Sequence, residues 1–166
     1  MITALCAAFM MVTAAFPYLS YSMPAIVGIL LVIVVIELNM KWAFGVYAAV
    51  SLLTLILPDD KEAVLFFIFF FGYYGILKAR IEGLKIKPVE YILKLALFNA
   101  GVVIATLITV FVLHIPMETI EMFGKYTPLA LLAAGNIIFL IYDFALTGLI
   151  TKYLYLLHSR VERMLK

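Results

Sequence analysis

The chain is poor in the groups that chemistry usually needs. It has one cysteine, Cys6, set in an apolar run, so no disulfide can close within it and no cysteine-based metal site is available. Its two histidines, His114 and His158, stand far from each other and outside any His/Cys/carboxylate cluster, so no metal site is expected. No GxxxxGK[ST] and no GxGxxG occurs, which excludes nucleotide hydrolysis by a P-loop on this chain. Ser20 and Ser22 have no neighbouring base. Asp59-Asp60 follows Pro58, where a carboxylate pair suits the start of a helix better than catalysis. The residues therefore point to a protein that is not an enzyme and needs no cofactor. Charge is scarce as well. Only 13% of residues are charged, against about 25% in soluble domains. The net charge of +2 carries no basic stripe of the kind that binds nucleic acid.

What the chain has is apolar surface. Of its 166 residues, 67% are hydrophobic, and the mean hydropathy is +1.18. This is the composition of a multi-pass membrane protein, with lipid as its main solvent. The opening MITALCAAFMM lacks a positively charged stretch, so it reads as a first helix and not as a cleavable signal peptide. Six apolar runs follow one another in a single domain over 1–166: about 1–16, 20–36, 42–57, 62–77, 89–114 and 127–156. The expected fold is all-α, a bundle of six transmembrane helices. A crossing takes about 20 residues, so the first four runs are short. A thinned bilayer, snorkelling flanks or an incomplete span among the first pair would each accommodate them.

The connections carry an orientation. Glu37-Leu-Asn-Met-Lys41 is a tight polar turn, Lys78 to Pro88 reads as a basic loop, and Ile115 to Tyr126 reads as an amphipathic segment at the interface. With six crossings, ten basic residues fall on one side: Lys41, Lys78, Arg80, Lys85, Lys87, Lys94, Lys152, Arg160, Arg163 and Lys166. Lys61 and Lys125 alone fall on the other. The positive-inside rule then places both termini in the cytoplasm and the protein in the cell membrane. Trp42, Tyr73, Tyr74, Tyr153 and Tyr155 lie near the inner boundary, and Tyr18, Tyr21 and Tyr126 near the outer one, as an aromatic belt would. The outer set, with Phe123, can instead line a pocket that opens outward.

One acid lies deep in the last run. Asp143 shares a helical face with Asn136, Thr147 and Thr151. An ionisable group at bilayer depth needs a partner, a cavity or a proton. Counting from the inner ends of the last two helices puts Asn99 and Asp143 at similar depth, about ten residues in, with Lys94 within snorkelling reach. The intramembrane polar cluster is therefore read as Lys94, Asn99, Asp143 and Thr147. It can serve as an interhelical clamp, a proton or cation site, or the floor of a pocket. Asn136, nearer the outer end, is the candidate to face a ligand together with Tyr21, Phe123 and Tyr126. In the first helix Ala4, Ala7 and Ala8 form a small-residue face, which lets helix backbones approach closely in lipid.

A chain of this length, with six helices and the alanine-rich first helix TALCAAFMMVTAAF, resembles the substrate-binding S components of energy-coupling factor transporters. Ala4-x-x-x-Ala8 matches the small-residue face by which that family docks on its transmembrane coupling subunit. The resemblance implies an unidentified small-molecule ligand captured on the outer side, and a coupling subunit with two cytoplasmic ATPases as partners. The loop between the first two helices, about 17–21, is shorter than is usual in that family. The six-helix architecture is also similar to that of MreD-like scaffold proteins of the cell-wall elongation machinery.

Overall fold

A computed structural model describes residues 1–57, 60–84, 86–111 and 127–155. Among them are six helices and no strand: α1 (Ile2–Ala15), α2 (Ser22–Glu37), α3 (Met40–Ile56), α4 (Lys61–Glu82), α5 (Lys87–Phe111) and α6 (Thr127–Tyr153). Local chemistry sets their ends. The Asn39 side chain accepts from the amides of Lys41 (2.9 Å) and Trp42 (3.2 Å) and so caps α3. Asp60 caps α4 through the amide of Ala63 at 3.0 Å. Pro24 and Pro88 lie in the first turns of α2 and α5, where a missing N–H costs no intrahelical bond. A short 3₁₀ turn, Pro17–Leu19, joins α1 to α2.

Three helices are long and apolar enough to cross a membrane: Lys61–Glu82, Lys87–Phe111 and Leu129–Tyr153. The first three helices, of 14, 16 and 17 residues, are apolar but shorter than the roughly 20 residues of a full crossing. The described boundaries follow the apolar runs closely except at one place, and the expected ends of the fifth and sixth runs, about 114 and 156, lie outside the described residues. The fourth run was expected to end at Leu77 and to give way to a basic loop. Helix α4 instead continues for more than a turn, to Glu82, and Lys78 lies inside the protein. The sequence pattern missed this because a lysine among Arg80, Glu82 and Lys85 looks solvated, whereas Lys78 is held by carboxylates.

α4 is the hub of the bundle. α1, α2 and α3 pack against one another, α4 rests on α2 and α3, and its far side meets α5; α6 lies against α5 and α2. One apolar cluster, around Met10, Leu31, Val50 and Phe67, unites α1 to α4. A second, around Phe70, Tyr74, Phe98 and Phe139, unites α4 with α5 and α6. Lipid tails are as apolar as these side chains, so close packing must hold the helices together in a membrane. Glycine supplies the closest approach. A Cβ on Gly28 would lie 2.6 Å from the carbonyl oxygen of Phe71, and one on Gly75 would lie 3.1 Å from that of Gly28. Backbone therefore meets backbone where α2 crosses α4.

Midway along α4, Phe67–Phe71 form a π-helical turn. Such a turn takes one more residue than an α turn and leaves carbonyls open to outside partners. The hydroxyl of Tyr47 on α3 donates to the carbonyl of Ile68 at 2.8 Å. The Phe69 carbonyl abuts Gly101 of α5, and the Phe71 carbonyl abuts Gly28 of α2. Three neighbouring helices thus use carbonyls of one short segment.

Candidate functional site: a buried charge quartet

Beyond the π turn, α4 presents Tyr74, Lys78 and Glu82 at intervals of four, on one face. Lys94 of α5 and Asp143 of α6 meet that face. Asp143 Oδ1 accepts from the Tyr74 hydroxyl at 2.5 Å and from the Lys78 ammonium, and its Oδ2 accepts from Lys94 at 2.9 Å. Glu82 Oε1 takes both lysines, each at 2.7 Å. The four charges form a closed alternating ring, Asp143–Lys78–Glu82–Lys94. Lys78 is 1% exposed and Asp143 6%, while the Glu82 side chain, at 34%, is the end open to the surroundings.

Two ammonium groups face two carboxylates, so the ring carries no net charge. Burying such groups is costly, and the cost is met only when every donor and acceptor is used. That condition is closely approached here. The Asp143 carbonyl is also occupied, by the Thr147 hydroxyl at 2.9 Å. Both carboxylate oxygens of Asp143 are already held by donors, and the accessible end of the ring is Glu82. What the geometry does is tie α4, α5 and α6 together at one level.

The sequence-based candidates separate into different places. Asp143 and Lys94 meet. Asn99 does not join them; it pairs with Asn136 in a reciprocal amide contact, with Nδ2-to-Oδ1 distances of 2.9 and 3.0 Å. Each amide also donates to its own helix, Asn99 to Leu95 and Asn136 to Leu132, both at 2.8 Å. Asn136, expected to face a ligand, thus spends its amide on α5. Thr147 and Thr151 turn back onto carbonyls of α6. The Tyr21 hydroxyl donates to Glu62 at 2.6 Å, beside the Ser20–Asp60 contact at 2.5 Å. Phe123 and Tyr126 lie outside the described residues, as does the expected amphipathic segment. On α1, Ala4 and Ala8 face outward, whereas Ala7 turns inward beside Cys6 and Met10. Three residues of rotation separate Ala4 from Ala7, enough to carry it over the edge of the buried face.

Sequence reasoning missed Tyr74, Lys78 and Glu82. Tyr74 was grouped with the aromatic belt but is fully buried. Its spacing from Lys78 and Glu82 was the available signal, and it becomes visible only once α4 is extended to Glu82.

The asparagine pair carries a graded expectation. Asn99→Ala and Asn136→Ala each lower stability by about 0.6–1.7 kcal/mol, the range of interhelical hydrogen bonds in membranes. The double substitution should cost little more than either single one, because neither amide is then left unpaired. Unfolding in mixed micelles measures all three; strictly additive losses would rule out the mutual pairing.

Comparison with protein-family models, curated proteins and solved structures gave no match for this chain.

Proposed function

We propose that the chain is a non-catalytic membrane subunit that works by docking on a partner membrane protein, as an S-component-like substrate-binding subunit of an ATP-driven uptake transporter. The observation that carries this reading is the two-sidedness of α1. Cys6, Ala7, Met10 and Thr13 bury against the bundle, while Ala4, Ala8, Met11 and Ala15 are left exposed in line. Small residues along an exposed membrane helix suit close contact with another helix. The ligand would enter from the outer end, near Tyr21. Six crossings with both termini cytoplasmic belong to the same reading. With Lys78 and Lys94 buried, that reading would leave eight basic residues of the sequence for the inner side against Lys61 and Lys125 for the outer one.

The test is affinity purification from native membrane, with mass spectrometry of proteins and small molecules. A coupling subunit and two ATPases are expected with the wild type. Ala8→Phe overpacks the docking face by about 1–3 kcal/mol, a roughly 5- to 150-fold loss of partner, with helicity and thermal stability unchanged. A second reading, an MreD-like scaffold, is favoured by the Asn99–Asn136 pair, which fills the space between α5 and α6 with protein contacts. Recovery of cell-envelope machinery without ATPases or a small molecule would select the scaffold and reject transport.

A further inference from the structure

α2 and α6 run side by side toward their carboxyl ends and leave an open groove of about 260 Å³ between them. α2 contributes Ile29, Ile33 and Ile36, and α6 contributes Leu146, Leu149 and Ile150. The walls are aliphatic throughout. Polar groups appear only at one end, where Lys152 and Tyr153 line the groove and the Tyr153 hydroxyl donates to Glu37 at 2.7 Å.

The groove's length has a natural scale. The seven helical steps of α2 from Ile29 to Ile36 rise about 10 Å. One leaflet of hydrocarbon is about 15 Å deep, half of a core of about 30 Å. The groove therefore reaches from a polar boundary about two thirds of the way to the bilayer midplane. Its axis follows two helices, one of which is long and apolar enough to cross the membrane. Lys152 lies one residue from the end of that apolar helix, Leu129–Tyr153, where a spanning helix would reach the headgroups and an ammonium would meet phosphate.

We propose that this groove is a binding site for a glycerophospholipid, with one acyl chain between α2 and α6 and the phosphate on Lys152. The aliphatic walls exclude a polar ligand, and the single charged lining residue is a cation at the end where a headgroup lies. The site lies apart from the outward face of α1 and does not depend on the docking reading.

A photoactivatable phospholipid with a diazirine on one acyl chain tests it, using the full chain in phospholipid nanodiscs with mass-spectrometric mapping. Labelling should concentrate on residues 29–36 and 146–153. It should exceed labelling of Ile141 and Phe144, which are exposed on another face of α6. Leu149→Trp and Ile33→Trp, which fill the groove, should each abolish the excess. Lys152→Gln lies at the surface and leaves the packing intact; it should cut labelling about fivefold, while labelling by a matched diacylglycerol probe without phosphate stays unchanged. Labelling spread evenly over the exposed faces of α5 and α6 overturns the proposal. So does labelling that persists in both tryptophan variants, or a Lys152→Gln effect of equal size for both probes.

Discussion

Asp143→Asn should destabilise the protein by about 3–5 kcal/mol, the range for removing one partner from a buried ion pair. The reason is arithmetic of charge. Two lysines would remain against Glu82 alone, leaving one uncompensated ammonium in a low-dielectric interior. The Asn side chain could still accept one hydrogen bond, but the excess charge would stay. Adding Lys94→Met to Asp143→Asn removes the excess and leaves the Lys78–Glu82 pair neutral. The double variant should therefore recover part of the loss, with a coupling of about 0.5–3 kcal/mol. Far-UV helicity followed through a mixed-micelle denaturation measures both. An Asp143→Asn protein within about 0.5 kcal/mol of wild type would mean that the ring is not compensating buried charge.

The second large effect lies one turn away. Phe70→Ala should cost about 3 kcal/mol, the lower end of the Phe→Ala range in soluble cores. The lower end applies because lipid tails solvate an exposed ring as well as protein does, so only the lost packing counts. That packing is extensive. The Phe70 ring centroid lies 4.9–5.6 Å from those of Phe71, Tyr74, Phe98 and Phe139, three of them edge-on. Phe98 and Phe139 stack on each other at 4.8 Å, so Phe70 closes a cluster shared by α4, α5 and α6. The same micelle titration gives the magnitude. Phe70→Leu, which retains most of the volume, should lose less than half as much. Equal losses from Ala and Leu would show that the ring geometry, and not the filled volume, is what matters.

The two predictions concern adjacent layers of one interface, and the sequence made them legible to different degrees. The apolar runs showed six helices and, apart from the end of α4, the helix ends that lie among the described residues, because apolar composition is a property of each segment alone. Asp143 stood out for a related reason, as a lone acid in a long apolar run. Lys94 followed from counting residues along a helix of fixed rise. Lys78 was hidden because burial of a lysine depends on what faces it, and its partners lie 65 residues away on α6 and one turn on in α4. Asn99 and Asn136 were seen as polar faces, but depth alone could not say whether Asn99 would meet Asp143 or the other amide. Pairing is a property of two helices at once, set by their rotation.

For α4, the bearing of its charged face has a cause within the helix itself. Successive residues of an α-helix are about 100° apart, so one additional residue in a turn changes the bearing of everything after it. Phe67–Phe71 is such a turn, and it lies between the half of α4 packed on α1 and α3 and the half that holds Tyr74, Lys78 and Glu82. The phenylalanine run therefore acts as a phase shift between two surfaces that a uniform helix would present on other bearings. Loss of one codon within it would leave composition, hydropathy and helix content almost untouched. It would also swing both α4 charges away from Asp143 and toward lipid, so the chain should tolerate substitution in this run far better than a change in its length.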